Sequence, residues 1–441
     1  MEVKILSQKL VKPSTPTSHQ LLKISYLDQI APPAYLPFIF YYQADAKPIP
    51  AEQDERCNQL ERSLSETLSL YYPLAGRYNQ DKLMVDCNDE GAFFVEAKAD
   101  GNLDQLLQGK PEGNVLNRLL PFEDEMSFRT ILLAVQINRF DCGGLAIGMC
   151  LSHKIADGST ASSFINAWAT ASRVGINEVT SPGFDAGSLF PSTEALTYVP
   201  APPSISNDTK IVTKRFVFGG DAIFKLKARA MEHTCYSDSK NLPSRVQVVT
   251  AMIWKALMGI NQAKHNQLRT SLLVSSYNLR DKMALPVPQS SFGNLYRMVV
   301  TRFQPTHKNP EFQELVTLFN HSVTKAKEDT AKIANPGDMV ALASNSSREV
   351  GEEVKSGGVD VCIISSLSRF PFYDADFGWG KPHWFSSVHK PLEIGLLLDT
   401  KCGTGIEAWM SLEEKRMLQF EQDQDIVAFT SSGKQSIIQA S

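Results

Sequence analysis

At 441 residues, with 43% apolar and 21% charged residues, the chain has room for two domains of ordinary size and lacks the composition of a disordered or fibrous protein. Its 44 Lys and Arg against 48 Asp and Glu leave a net charge of −4, scattered rather than clustered. No basic stripe exists to neutralise a phosphate backbone, so nucleic acid is not an expected partner.

Cys57, Cys87, Cys142, Cys150, Cys235, Cys362 and Cys402 are widely spaced and include no Cys-x-x-Cys pair. They fit neither a disulfide framework nor a zinc site, and they read as the reduced thiols of a cytoplasmic protein with no bound metal. The N-terminus is charged from its second residue and lacks the apolar stretch of a signal peptide. The longest aliphatic run, Ile131 to Val135, is far too short to span a bilayer, so no membrane partner is expected.

In chain order, Val3 to Pro13 and Leu36 to Tyr42 read as strands. From Gln53 to Leu70, Leu60, Leu64 and Leu68 recur every four positions among polar residues, the pattern of a helix with one buried stripe. Leu83 to Cys87 and Phe93 to Ala97 flank Asn88-Asp89-Glu90-Gly91 and read as a hairpin. Arg129 to Phe140 and Leu145 to Leu151, separated by Asp141-Cys142-Gly143-Gly144, read as paired central strands. After His153 the period changes, and Ala161, Phe164, Ile165 and Trp168 mark a helix with Asp157 as its N-cap.

The proline-rich, aperiodic stretch that follows reads as a connector over 181–210. It divides an N-terminal domain, 1–180, from a C-terminal domain, 211–441. In the second half, Ile211 to Phe218, Leu272 to Asn278 and Met298 to Phe303 read as strands, and Asp221 to His233 and Ser244 to Met258 as helices. The expected class is α/β, with two mixed-sheet domains of similar size.

Nucleophile-elbow, phosphate-loop, zincin and dinucleotide signatures are all missing. What remains is Ser152-His153-Lys154-Ile155-Ala156-Asp157-Gly158. There an imidazole leaves a strand end on a loop, a carboxylate can lock that loop, and a glycine can take an unusual backbone angle. On residues alone this is either the mount of a general base or a chance His-x-x-x-Asp. Asp376-Phe377-Gly378-Trp379-Gly380, closed by Lys381-Pro382, reads as a turn anchored by its aromatic residues that shapes rather than reacts.

Together the two motifs resemble the BAHD family of plant CoA-dependent acyltransferases. The likeness runs over nearly the whole chain: YYPLAGR at 71–77, VDCND at 85–89, FDCGGLAIG at 140–148, SHKIADG at 152–158, Asn278-Leu279-Arg280, SFGN at 291–294 and DFGWGKP at 376–382. KPSTPT near the N-terminus and SYLDQ at 25–29 look most like the alkaloid O-acetylating branch. The resemblance implies a fold similar to chloramphenicol acetyltransferase, with a solvent channel between two domains. It implies transfer of an acyl group, acetyl by preference, from acyl-CoA to a hydroxyl of a specialised metabolite by a monomer. Acyl-CoA would be a co-substrate, and no permanently bound cofactor is implied.

Carried over residue by residue, the resemblance makes His153 the general base and gives Asp157 a mainly structural part, turned toward Arg280. Gly158, Arg280, Asp376, Gly378, Trp379 and Gly380 would support the site. Ser365 falls where relatives place a hydroxyl near the substrate carbonyl, and Leu367 departs from their usual Trp. Ser244 is a candidate for CoA binding or, equally, a plain helix cap. Competing readings of the same fold are an enzyme for a sugar ester, terpenoid alcohol or amine acceptor with another acyl-CoA, and a catalytically silent binding protein.

Overall fold

All eight residues of the strand Leu145–Ser152 are buried, as its unbroken apolar run requires, and it lies at the centre of the first of two six-stranded sheets. The computed structural model describes residues 1–18, 20–44, 50–109, 111, 113–121, 130–193, 210–232, 242–305, 309–388 and 392–430. The first sheet runs in the order Val3–Val11, Ala92–Ala99, Leu133–Phe140, Leu145–Ser152, Tyr35–Tyr42, Trp384–Ser386. Only Ala92–Ala99 and Leu133–Phe140 pair in parallel, so the sheet is mixed.

On this sheet's unit, the helix Pro50–Leu70 buries Leu60, Leu64 and Leu68 completely, the stripe their spacing predicts. The helix Gly158–Val174 packs beside it, and the indole N–H of Trp168 donates to the Leu60 carbonyl and the Ser63 hydroxyl, each at 3.1 Å.

The second sheet runs Tyr296–Phe303, Thr270–Asn278, Val359–Ser366, Ile394–Asp399, Ile406–Glu413, Ile211–Phe218, again mixed. Its core gathers around the helix Arg245–His265, where Val248, Val249, Met252, Ile253 and Trp254 are fully buried. That helix continues seven residues past Met258, the end read from the sequence.

Chain contacts divide the molecule into two units. One comprises Met1–Thr197, Val287–Leu295 and Phe370–Val388, and the other Tyr198–Pro286, Tyr296–Arg369 and His389–Ser441. This differs from a single break over 181–210. Residues 181–193 belong to the first unit, where they form the short helix Ala186–Leu189, and 194–209 lie outside the described residues.

The DFGWG loop, expected in the 211–441 half, also belongs to the first unit. The chain returns there because Trp384–Ser386 pairs antiparallel with Tyr35–Tyr42 along the sheet edge. The expected hairpin across Asn88–Gly91 does not form either. Met84–Asp86 joins a three-stranded sheet with Leu21–Lys23 and Arg77–Asn79, while Ala92–Ala99 joins the large sheet. At φ 104° Gly91 packs so close to Val11 that a Cβ would stand 2.7 Å from the Val11 carbonyl oxygen, which sends the chain toward the Val3–Val11 strand instead of back on itself.

Candidate active site

The strand Leu145–Ser152 delivers His153 to a loop whose backbone is pinned at once, because the His153 N–H donates to the Ala34 carbonyl at 2.8 Å. The next side chain is a clamp. Lys154 Nζ donates to the Gln29 and Ala31 carbonyls at 3.0 and 2.8 Å. Asp157 then caps the following helix, its Oδ1 accepting from the Thr160 N–H at 2.9 Å. Gly158 is simply the first helical residue and does not adopt the unusual backbone angle the sequence allows it.

A second stretch, distant in sequence, locks this loop. The Leu295 N–H donates to Asp157 Oδ2 at 3.0 Å. Thr160 Oγ1 donates to the Gly293 carbonyl and accepts from the Gly293 N–H, at 3.0 and 3.2 Å. Between them stands Asn294, with no measurable exposure, whose Oδ1 lies 2.9 Å from His153 Nδ1 and whose Nδ2 donates to the His153 carbonyl at 2.7 Å. Asn294 Nδ2 and its backbone N–H also donate to Asp28 Oδ1, at 2.9 and 2.6 Å.

An amide whose NH2 is committed to a carboxylate can offer only its oxygen to the imidazole. The contact suits a ring protonated on Nδ1, with the lone pair on Nε2. Burial pushes the imidazole below its ordinary pKa, against the opposing charge of Asp157 and the Asn294 hydrogen bond, and so favours the neutral ring.

The DFGWG loop is internally tied. Asp376 Oδ1 accepts from the Gly378 and Gly380 N–H groups, both at 2.9 Å, with the two glycines at φ 112° and 97°. Phe377 is fully buried edge-on to Trp168, and its carbonyl accepts from Ser172 Oγ at 3.0 Å. Trp379 is half-buried, stacked on Phe377 with the Arg56 guanidinium over its ring.

A profile of the Transferase family matches residues 1–427. The chain belongs to that family, the BAHD transferases. It is 37% identical to acetyl-CoA-benzylalcohol acetyltransferase of Clarkia breweri, covering 98% of this chain and 100% of that one. With stemmadenine O-acetyltransferase of Catharanthus roseus it shares 35% identity, over 96% of this chain and 97% of the other. The crystal structure of vinorine synthase superposes with a TM-score of 0.82 at 32% identity, covering 98% of this chain and 99% of that one.

The remaining residues expected at a BAHD site lie in the second unit. Arg280 is buried just past the strand Thr270–Asn278, its Nη1 donating to Asn278 Oδ1 at 3.2 Å. Ser365 sits half-buried near the end of the strand Val359–Ser366, and the Leu367 N–H donates to the Leu397 carbonyl at 2.8 Å. Ser244 is the N-cap of Arg245–His265 in a capping box with Gln247, so the structure gives its hydroxyl the cap reading.

Sequence reasoning missed the roles of Asn294 and Asp28. Both lie in stretches that carry the family resemblance, SFGN and SYLDQ, and no residue-level pattern there singles either one out. Among the described residues no group of three His, Cys, Asp or Glu is placed to hold a metal ion, and no helix is long and apolar enough to cross a membrane.

Proposed function

We propose that this BAHD transferase moves the acetyl group of acetyl-CoA onto a hydroxyl of an alkaloid-like specialised metabolite, with His153 as general base. The observation that carries the chemistry is the 2.9 Å contact of His153 Nδ1 with Asn294 Oδ1, which leaves Nε2 as the basic nitrogen. The donor and the oxygen acceptor are supported by the relatives' names, one an acetyl-CoA-benzylalcohol acetyltransferase and another a stemmadenine O-acetyltransferase. The alkaloid-like acceptor is supported further by the likeness to vinorine synthase.

As the acceptor oxygen attacks the thioester carbonyl, Nε2 takes the hydroxyl proton. The tetrahedral adduct then expels the CoA thiolate, which recovers that proton from the imidazolium, so no covalent enzyme intermediate forms. Such proton transfer is worth roughly 10²–10⁴-fold in rate. Asp157 holds the loop through Thr160 and Leu295, and its charge steadies the imidazolium. The DFGWG loop serves as a scaffold. We propose that it works as a monomer in the cytoplasm, a reading supported by seven widely spaced cysteines with no Cys-x-x-Cys pair.

The test is CoA release by purified His153→Ala with acetyl-CoA and a panel of alcohols that includes benzyl alcohol. The expected outcome is a loss of roughly 10²–10⁴-fold with the circular dichroism unchanged. A wild-type rate would overturn the role of His153, and use of malonyl- or hydroxycinnamoyl-CoA without acetyl-CoA would overturn the donor.

A further inference from the structure

We propose that Asp28 is a positioning residue for the transfer: acting through the Asn294 side chain, its carboxylate dictates which nitrogen of His153 carries the ring proton. The inference rests on the reading of His153 as general base.

Asp28 has an evident local task. It is the third residue of the short helix Tyr26–Gln29 and closes a capping box with Ser25. That box uses only one of its oxygens, Oδ2, which accepts from the Ser25 N–H at 2.9 Å and the Ser25 hydroxyl at 2.7 Å. The other, Oδ1, is given entirely to Asn294, accepting from its backbone N–H at 2.6 Å and from Nδ2 at 2.9 Å. A cap needs neither contact. Nor does a cap need burial, yet Asp28 is only 4% exposed.

The consequence follows from donor chemistry. A primary amide can present either its oxygen or its nitrogen to a neighbour, and the two orientations have nearly the same shape. An ionised carboxylate only accepts, so Asp28, together with the His153 carbonyl, holds the NH2 of Asn294 on its own side and turns the amide oxygen toward His153 Nδ1. Turned the other way, the amide would donate to Nδ1 and leave the ring proton on Nε2, where the base must have a lone pair. Burial pushes the Asp28 pKa up, and the four donors around its two oxygens, the Ser25 N–H and hydroxyl and the Asn294 N–H and Nδ2, oppose that shift and leave the carboxylate the accepting partner in every contact. A charged acceptor also polarises the amide, strengthening the Nδ1–H···Oδ1 bond as the ring gains charge.

The same segment holds the loop in a second way, since Ala34 accepts from the His153 N–H and Gln29 and Ala31 accept from Lys154. The titratable groups that face the His153–Asp28 pair are Asp157, at the start of the helix Gly158–Val174, Lys154 in the loop, and Tyr78 on the strand Arg77–Asn79.

The test uses the full chain with ¹⁵N-labelled histidine, the His153 ring signals being assigned by their loss in His153→Ala. Wild type is expected to show the Nδ1–H tautomer at neutral pH. Asp28→Asn, which keeps the shape and removes the charge, is expected to populate the Nε2–H tautomer, to lower the imidazole pKa and to cut kcat roughly 10–100-fold. In the Asn294→Ala background the same change should cost nothing further, as expected for a residue that acts through Asn294. Ser25→Ala, which removes the cap but leaves Oδ1 on Asn294, should keep the wild-type tautomer.

A folded Asp28→Asn variant with unchanged tautomer, pKa and kcat overturns the inference. So does an Nε2–H tautomer in wild type, a result that holds even if Asp28→Asn fails to fold. Should His153→Ala transfer acetyl at the wild-type rate, the base reading itself fails, whatever the tautomer.

Discussion

Asn294 touches His153 twice, its Oδ1 lying 2.9 Å from Nδ1 and its Nδ2 donating to the backbone carbonyl at 2.7 Å. One side chain thus reaches both the ring and the backbone that carries it. Truncation by Asn294→Ala removes the side-chain hydrogen bond that orients the imidazole. A misplaced reacting group costs about 10²-fold, so kcat should fall by that order with the KM for acetyl-CoA little changed. Steady-state kinetics on the purified variant will check this split.

Asp157 serves two backbone N–H groups from one carboxylate. In Asp157→Ala the lost helix cap costs about 0.5–2 kcal/mol and the unmet Leu295 N–H about 1–3 kcal/mol. The melting temperature should fall accordingly. Asp157→Asn should restore the cap but not the Leu295 contact, and should melt between the two. A variant Asp157→Ala with wild-type melting would show that neither bond matters.

Gly293 holds φ 128°, and a Cβ there would stand 3.3 Å from the Ala186 Cβ and 3.6 Å from both Asp28 carboxylate oxygens. Gly293→Ala therefore combines a backbone conformation costing about 1–3 kcal/mol with pressure on the group that orients Asn294. Both the denaturation midpoint and kcat are expected to drop. Ala at a nearby unstrained glycine, Gly183, where the nearest heavy atom is the Asp185 carboxylate at 3.6 Å, is the control.

Burial lowers the His153 pKa from its ordinary value of 6.5. The acid limb of kcat/KM should therefore fall below pH 6.5, provided the free enzyme's base is this ring. Linkage gives the stability sign. Between the lowered folded pKa and 6.5 the unfolded chain binds the proton more readily, so this group destabilises the fold increasingly as pH falls through that window and contributes nothing above it. His153→Gln should flatten that part of the stability–pH curve, as measured by urea midpoints across pH.

The strands and helices whose signal is local were legible from sequence. The Leu60, Leu64 and Leu68 stripe, the buried run Leu145–Ser152 and the Asp157 cap all declare themselves within a few residues. The hairpin across Asn88–Gly91 failed because the turn residues say only that the chain bends. Where each strand then pairs depends on the Gly91 approach to Val11, which periodicity does not encode. The helices Phe312–Ala331 and Pro336–Ser356 and the strands from Val359 onward were not read from the sequence at all. His153 was found because a histidine ending a strand is conspicuous, whereas Asn294 and Asp28 act across separations of 141 and 266 residues that no window spans.

The first unit draws on three stretches of chain, the second of which begins at Val287 and the third of which ends at Val388. During synthesis the strand bearing His153 is made long before its amide partner exists. A nascent chain released before residue 294 would carry the histidine and the helix cap residue, but neither the Leu295 N–H for Asp157 nor the oxygen that fixes the ring proton. The buried network around His153 is thus incomplete until most of the polypeptide has been made, and neither unit can be cut out of the sequence as one continuous piece.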